Sequence, residues 1–560
     1  MHPSAREHRN HHATMARRMR LRTWVAVATI ATAGCGGGAH GGGRPAGPTR
    51  AAPNPGPTLP SRPVTLTLRP AGPVRVLPPG FMGFNAEALT APSSLWSDPG
   101  FLAAVARLHP GALRIFGGTT ANYWDWRAGT FVTGPAVPPE LAAARSRIHL
   151  PITVWARLIA RTGARPLFDL NLVTSTLTDQ LAMLRAARRT GLPIQRIELG
   201  NELYLPRYAE RFPTGTAYGR VATRWIRAIK GRYPGVQVAV SAYLPGGPGG
   251  PASTAREQTW NADVRSTVDL ADAMAFHPYF RSGLGEPVPP VPGRAAAAVL
   301  GAPWERFAAL RASALDQLGS GMQAWMTEWN LFDRQAPVHG TWSQGLAVAA
   351  FGLDLLSDPR ITQADNHALV ASAPFASIFG DANGLSFGPL PGSPRGESAQ
   401  ASRDAGPQSV HPAVVSVAGF TVPDHRPPTT ARFGLSAGGA AMSELLNAVR
   451  GTDRAQPLTL VPPAGDRSAG GPLPSGGPAQ QAELVRGPRR WTLVVVNLDR
   501  RAVAVRGAGL ASRRGSYEQL AAAPQTLVAG PWSLERRHGR VPRSGTLVLA
   551  PYSLTRVWSG

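Results

Sequence analysis

From Phe81 onward, short apolar runs that suit strands alternate with longer stretches whose apolar positions recur every three or four residues. This is the pattern of parallel strands joined by amphipathic helices. Seven strand-like runs stand out: Gly83–Asn85, Ala112–Phe116, Leu167–Leu170, Ile194–Leu199, Gln237–Ser241, Ala273–Phe276 and Gln323–Thr327. For an eighth, Ala368–Ser372 fits best. Helices are predicted over Asp98–Leu108, Pro151–Arg161, Thr178–Arg189, Tyr218–Arg232, Trp304–Leu318, Trp342–Leu356 and Phe433–Val449. The first has Asp98 as N-cap and Pro99 at its first position. Together these units predict an α/β fold, a (β/α)8 TIM barrel.

The flanking pattern differs. Val64–Leu68 alternates apolar and polar positions, and Pro73–Leu77 is also strand-like, so both are candidates for an accessory sheet ahead of the barrel. After the barrel, short β-patterned runs at Glu483–Val485, Trp491–Asn497, Ala502–Val505, Gly545–Leu549 and Ser553–Val557 predict a C-terminal β-sandwich. Residues 384–408 are polar and rich in proline and glycine, as expected of an insertion or loop. The expected division is a signal segment over residues 1–35, a linker over 36–62, a catalytic barrel over 63–450 and a sandwich over 451–560.

Composition changes this picture little. At 560 residues the chain accommodates a barrel and a second module. The net charge of +25 comes almost entirely from arginine, Lys230 being the sole lysine, and is spread along the chain. No basic stripe is interleaved with aromatics, which argues against nucleic acid as a partner. An acidic polysaccharide or a cell-wall glycan remains compatible with the charge.

The first residues read as a targeting segment. Arg17, Arg18, Arg20 and Arg22 precede an apolar run, Thr23–Ala33, too short to span a bilayer, which needs about 20 residues. Met15 would give such a signal an ordinary length. The run ends in Thr32-Ala33-Gly34-Cys35, which resembles a bacterial lipoprotein box, with threonine where leucine is preferred. That resemblance implies lipidation at Cys35 and a cell-envelope location, the membrane being reached only through the lipid. Ordinary export with cleavage nearby is the alternative. Cys35 is the only cysteine, so no internal disulfide forms.

Two blocks carry the chemistry: Ile197-Glu198-Leu199-Gly200-Asn201-Glu202 and Met326-Thr327-Glu328-Trp329-Asn330. Each places a glutamate just beyond a predicted strand, at the rim where barrel loops build active sites. Two carboxylates on one rim suit acid/base and nucleophilic work on a glycosidic bond. Glu198, inside its strand, is better read as the partner of a structural arginine. His277 and His367 lie near strand ends, but neither has a second histidine at ligand spacing, so no metal is expected. Nothing implies an organic cofactor. Trp124, Trp126 and Trp329 are either core aromatics or flat faces for sugar rings. Asn85, Glu87 and Asn171 are weaker substrate-binding candidates. Gly117-Gly118 reads as a tight turn, because no phosphate-binding loop accompanies it.

These blocks resemble the retaining glycoside hydrolases of clan A. Arg114-Ile115-Phe116-Gly117-Gly118-Thr119, followed by Asn122-Tyr123-Trp124-Asp125-Trp126, is similar to the segment after strand two in families 51 and 79. Ala550-Pro551-Tyr552-Ser553-Leu554 is similar to the last strand of their β-sandwich. The resemblance implies Glu202 as acid/base, Glu328 as nucleophile and Asn201 on the sugar's 2-hydroxyl. It also implies that Arg114 and Tyr279 keep the nucleophile ionised and oriented, with His277, Trp126, Trp329 and Asn85 as further substrate-binding candidates. The implied glycone is an arabinofuranose or a glucuronic acid. Many members carry a tryptophan after strand eight that floors the glycone subsite, and Phe375–Gly380 contains none. A non-catalytic carbohydrate-binding protein on the same scaffold is the alternative reading.

Overall fold

The computed structural model describes residues 63–86, 93–246, 254–281, 292–332, 340–370, 375–379, 433–464, 476–507, 515–528 and 533–559, together with 338, 472–474 and 510. The leader, Cys35, the linker, Glu87 and the 384–408 insertion lie outside these.

Eight parallel strands close into a barrel in chain order. They are β1 (Met82–Asn85), β2 (Ala112–Ile115), β3 (Arg165–Asp169), β4 (Arg196–Leu199), β5 (Gln237–Ser241), β6 (Ala273–Phe276), β7 (Gln323–Trp329) and β8 (Ile361–Asn366). Alternate residues face opposite ways along a strand. Phe84, Leu113, Phe168, Ile197, Val238, Met274 and Met326 accordingly join the large core under the helices. Leu167, Ala239, Ala273, Ala275 and Trp325 form a separate cluster inside the barrel, one bulky indole among small neighbours. The inner face also carries charge: Arg196 donates to the Gln363 side-chain oxygen, and Gln363 donates to Asp365 at 2.7 Å.

That inner polar pairing explains why the eighth strand is not Ala368–Ser372. The true β8 reads Ile-Thr-Gln-Ala-Asp-Asn, with buried Gln363 and Asp365 pointing toward Arg196, so it lacks the apolar run a strand search rewards. It pairs in parallel with β7 on one side and β1 on the other. Ala368, Leu369 and Val370 lie just past its end and are fully buried.

The surrounding helices are α1 (Pro99–Leu108), α2 (Ile152–Thr162), α3 (Leu177–Arg189), α4 (Gly215–Arg232), α5 (Ala255–Thr267), α6 (Pro292–Ser313), α7 (Trp342–Ser357) and α8 (Ala437–Val449). Asp98 caps α1 by accepting from the amides of Gly100 and Phe101. Helix α5 is absent from the hydrophobic pattern because only Glu257, Trp260 and Val264 of it are buried. It is held by a capping box in which Thr254 and Glu257 satisfy each other's backbone amides. Helix α6 starts earlier than predicted and ends at Ser313, followed by a 3-10 turn at Leu315–Gln317.

The accessory module is one hydrogen-bonded sheet of ten strands. Its path runs Glu535–Arg540, Ser516–Ala521, Ser553–Trp558, Trp491–Asn497, Gln480–Arg486, Arg454–Val461, Val64–Pro70, Val503–Gly507, Thr546–Leu549, with Arg75–Val76 also paired to Arg454–Val461. The sheet curls around Leu66, Leu484, Leu493, Val505, Leu547 and Val557, which gives the sandwich-like core. Its other face, through Val485, Val494, Val496 and Leu554, shares the barrel's helical core. The division expected at residue 451 is corrected in one respect: Val64–Pro70 lies between two C-terminal strands, antiparallel to one and parallel to the other. The two structures are further tied by Trp342, whose indole donates to the Tyr552 carbonyl at 2.7 Å. Arg75 donates to the carbonyls of Leu355, Leu356 and Asp358 at the end of α7, where carbonyls lack helical partners.

Candidate active site

The inward-facing residues at the carboxyl ends of β1 to β4 and β6 to β8 converge on a buried polar cluster. At its centre is Arg114 on β2, fully buried, with three carboxylates around it. Its Nε and Nη2 donate to Glu198 at 2.8 and 3.0 Å, and Nη2 also donates to Asp169 at 2.8 Å and to the Asn201 side chain at 2.9 Å. Its Nη1 donates to Glu328 Oε1 at 2.7 Å. The structure thus places Glu198 as an arginine partner. A planar fork of donors suits several carboxylates at once, which a lysine could not do. Burial disfavours the guanidinium, but the three carboxylates outweigh it and hold Arg114 charged.

Glu328, next to last in β7, sits in a fixed hydrogen-bonded frame. Besides Arg114, its Oε1 accepts from Asn85 Nδ2 at 3.2 Å, and its Oε2 accepts from the Tyr279 hydroxyl at 2.6 Å. His277 Nδ1 and His367 Nδ1 stand 3.7 and 3.8 Å from Oε2. Burial raises a carboxyl pKa, but the neighbouring His277, His367 and Arg114 charges and the Tyr279 hydrogen bond prevail and lower it to about 2. Glu328 is therefore ionised at neutral pH. Gly118 is part of the same frame: its φ is +64°, and a Cβ there would sit 3.2 Å from Glu328 Oε1. At Gly117 a Cβ would collide with the Asn85 side chain. The two glycines let the loop after β2 pass close to the carboxylate.

Glu202 leaves β4 in a different way. Gly200 takes φ +79° and Glu202 itself φ +48°, an uncommon left-handed conformation for a residue with a side chain. Such backbone strain is found where function requires a particular side-chain direction. Two contacts hold the carboxyl, the Tyr204 hydroxyl at 2.9 Å and His277 Nδ1 at 3.1 Å, both on Oε1. His277 is positioned in turn by Thr327, 3.1 Å from its Nε2. Burial lowers the imidazole pKa, but the Glu328 charge and the hydrogen bond to Glu202 raise it above its ordinary value. Since one nitrogen, His277 Nδ1, reaches both carboxyl groups, the separation of Glu202 Oε1 from Glu328 Oε2 cannot exceed the sum of 3.1 and 3.7 Å.

His367 differs from His277. Burial and the Arg114 charge lower its pKa, so its charge bears on Glu328 only in acid, where that carboxyl itself titrates; otherwise its Nδ1, 2.9 Å from Asn85 Nδ2, fits a neutral ring accepting there. Its ring, with Tyr279, Phe332 and Phe375, forms an aromatic group beside Glu328, centroids 5.1 to 6.0 Å apart. This group occupies the neighbourhood where the sequence offers no tryptophan.

The structure therefore brings Glu202, Glu328, Asn201, Arg114, Tyr279, His277 and Asn85 into one cluster. It does not bring the two tryptophans there. Trp329 is fully buried and packs against Phe351 of α7 at 5.8 Å: the pairing of β7 with β8 shifts register between Met326 and Trp329, so that Thr327 and Glu328 both reach the site and Trp329 turns to the helices. Its reading as a sugar platform is corrected to core. Trp126 is half-buried, its indole donates to Asp179 at 3.2 Å, and Arg127 stacks on it at 4.3 Å. Trp124 is core, stacked on Phe116, and Asn171 braces its own loop through Val173, Thr174 and the Trp124 carbonyl. Sequence reasoning assigned no role to Asn122, which holds Asn201 from both sides: its Oδ1 accepts from the Asn201 amide at 3.0 Å and its Nδ2 donates to the Asn201 carbonyl at 2.8 Å. It also missed Tyr204 and Asp169. A tyrosine two residues past the glutamate and an aspartate ending β3 were the available signals. Among the described residues, no group of His, Cys, Asp and Glu has a metal-holding arrangement, and no helix is long and apolar enough to cross a membrane.

No protein-family model matches the sequence, and no curated protein matches it. Solved structures share the fold. The thermostable GH51 α-L-arabinofuranosidase from Thermotoga petrophila RKU-1 aligns at TM-score 0.60 and 15% identity, over 89% of this chain and 100% of that one. A family 51 α-L-arabinofuranosidase from Bifidobacterium longum aligns at TM-score 0.61 and 15% identity, over 90% and 100%. A 4-O-α-L-rhamnosyl-β-D-glucuronidase from Fusarium oxysporum 12S aligns at TM-score 0.51 and 13% identity, over 88% and 100%. At such identities the likeness is one of architecture, a TIM barrel with an accessory β domain.

Proposed function

We propose that this chain is a retaining glycoside hydrolase. The observation that carries the reading is His277 Nδ1 standing between Glu202 and Glu328, which confines the two carboxyl groups to a short separation. Retaining enzymes hold theirs about 5–5.5 Å apart, whereas inverting ones leave about 6.5–9.5 Å for a water, so the upper limit set through His277 reaches only the foot of the inverting range and favours retention. Likeness in fold to glycoside hydrolases supports the same reading.

In the first half-reaction Glu328 Oε2 bonds to the anomeric carbon as the bond to the leaving oxygen breaks. Glu202 gives that oxygen its proton. Its Oε2 is the oxygen that holds this proton, because Oε1 already takes the Tyr204 and His277 contacts. In the second half-reaction Glu202 accepts a proton from water, the water oxygen attacks the anomeric carbon, and Glu328 leaves as carboxylate. Asn201, clamped by Asn122, presents its amide to the sugar's 2-hydroxyl, and the aromatic group of Tyr279, Phe332 and Phe375 supplies an apolar wall. The only guanidinium touching Glu328 among the described residues is Arg114, committed to three carboxylates, so a neutral glycone of the arabinofuranose kind fits better than a glucuronic acid.

The arginine-rich start, the apolar run and Cys35 make the protein, on this reading, an exported lipoprotein of the cell envelope. A Cys35→Ser variant that stays in the membrane fraction would refute the anchor. For the chemistry, intact mass and peptide mapping after incubation with mechanism-based arabinofuranoside, xyloside, glucoside and glucuronide inhibitors provide the test. A single adduct on Glu328 is expected, first with the arabinofuranoside. Sugar binding with no adduct from any of them would replace the hydrolase by a carbohydrate-binding protein.

A further inference from the structure

Folding gathers on one side of the barrel a charge that the sequence scatters. No aspartate or glutamate occurs between Glu140 and Asp169, between Asp179 and Glu198, or between Glu210 and Glu257, while arginine runs through all three intervals. These intervals hold α2, nearly all of α3, and α4, the helices that lead into the neighbouring strands β3, β4 and β5. The whole chain has 58 basic residues to 33 acidic ones, so a surface with no acidic residue departs from its average. Arg157, Arg161, Arg188, Arg189, Arg224 and Arg232 are exposed there. A base in the last turn suits a helix carboxyl end, which accounts for Arg161, Arg188, Arg189 and Arg232. It accounts neither for the mid-helix Arg157 and Arg224 nor for the missing carboxylates. Asp269 and Asp272, ahead of β6, reach α4 from the side and are taken by Arg227 and Lys230 at 2.7 and 2.8 Å.

Each helix of the barrel returns from the carboxyl end of one strand to the amino end of the next, so the last turns of α3 and α4 lie opposite the rim of Glu202 and Glu328. There they share a cavity of about 420 Å³, lined by Arg188 and Leu192 on one side and by Arg232 and Tyr233 on the other. Tyr233 is 6% exposed, and its hydroxyl has no hydrogen-bond partner. A buried hydroxyl left this way is costly unless something enters to meet it. Between two guanidinium groups, an oxyanion with several acceptor oxygens, such as a phosphodiester, meets all three. The surface around the cavity has no flat rings to offer a sugar: the exposed large apolar side chains among the described residues are Val74, Val76, Leu270, Trp304 and Val548, none of them on α2 to α4. Arginine without exposed aromatics suits adsorption to anionic headgroups rather than stacking on a polysaccharide.

We propose that the surface of α2 to α4, at the amino ends of β3 to β5, docks on an anionic phospholipid bilayer, with a headgroup phosphate seated between Arg188, Arg232 and Tyr233. Docked this way, the barrel turns the rim of Glu202 and Glu328 away from the membrane. The proposal depends neither on the hydrolase reading nor on a lipid at Cys35.

The test is co-sedimentation of the full chain, carrying Cys35→Ser so that no lipid contributes, with vesicles of phosphatidylglycerol mixed into phosphatidylcholine and with vesicles of phosphatidylcholine alone. Binding should favour the anionic vesicles and weaken as salt is raised. The triple variant Arg188→Glu, Arg189→Glu, Arg232→Glu should lower partitioning onto them at least about tenfold. Reversing Arg489, Arg540 and Arg543, exposed arginines of the accessory module, changes the net charge equally and should lower it no more than about twofold, as expected of charges off the docked surface. Equal losses in the two variants, both folded by circular dichroism, would reduce the effect to net charge and overturn the proposal. Equal binding of the parent to both kinds of vesicle would overturn it as well. Tyr233→Phe keeps every charge and should weaken binding without altering its salt dependence; unchanged binding would overturn the seating of a headgroup in the cavity. Release from the vesicles by inorganic phosphate at constant ionic strength would assign the cavity to free phosphate instead. Release by polygalacturonate at matched charge concentration would assign the surface to an acidic polysaccharide and overturn the bilayer.

Discussion

The hydroxyl of Tyr279 lies 2.6 Å from Oε2 of Glu328, on the oxygen that faces Glu202. That single bond helps hold the carboxylate ionised, and it leaves Oε1 to Arg114 and Asn85. A charge-assisted hydrogen bond of this kind contributes more than a neutral one.

Removing it by Tyr279→Phe should raise the Glu328 pKa and move the acidic limb of the kcat/KM profile to higher pH. The maximal rate should fall by roughly one to two orders of magnitude, as expected when about 1.5–3 kcal/mol of hydrogen bonding to a charged group is lost. A pH–rate profile with an unmoved acidic limb would separate Tyr279 from the ionisation of Glu328.

Glu202→Gln should lower kcat by about 10²–10⁴-fold on substrates with poor leaving groups and far less on activated aryl glycosides, because only the former require the donated proton. Equal loss on both kinds of substrate would show that Glu202 does not act as the acid.

Arg114→Met should destabilise the fold by about 3–5 kcal/mol, since it leaves Asp169, Glu198 and Glu328 buried without their shared cation. Denaturant unfolding measures this directly. A loss confined to activity would mean that Arg114 serves catalysis alone.

Asp354 on α7 is buried and accepts only from Gln481, at 3.4 Å, among the described residues. Burial pushes its pKa up to about 8, so the folded state holds a proton there that the unfolded state releases near pH 4. Its contribution to stability is greatest in acid and is lost as pH rises from about 4 to 8. Asp354→Asn should therefore flatten the dependence of Tm on pH over this window and raise Tm near pH 8. An unchanged slope would show that other groups set it.

Much of the barrel could be read from the chain because its outward-facing strand residues are apolar and its helices are amphipathic. The failures share a cause: position-specific polar contacts replace hydrophobic pattern. Strand β8 is disguised by Gln363 and Asp365, which answer Arg196 across the barrel interior, and α5 is set by the Thr254–Glu257 capping box with few buried residues. In the site, Glu202 and Glu328 stood out as glutamates directly beyond strands. Asn122 and Tyr204 did not, because what marks them is whom they meet across the chain. The outward turn of Trp329 is set by the register shift between Met326 and Trp329, which simple alternation along the strand does not reveal.

The strand Val64–Pro70 pairs with Val503–Gly507, the partner of Val64 being Val503. Closing so long a loop carries a large entropic cost and comes late in folding. The strand Val64–Pro70 thus waits for a segment more than 400 residues further along the chain, and the sheet stays incomplete until that segment has formed. A chain arranged this way leaves that strand's parallel edge open until residues 503–507 are present to cover it.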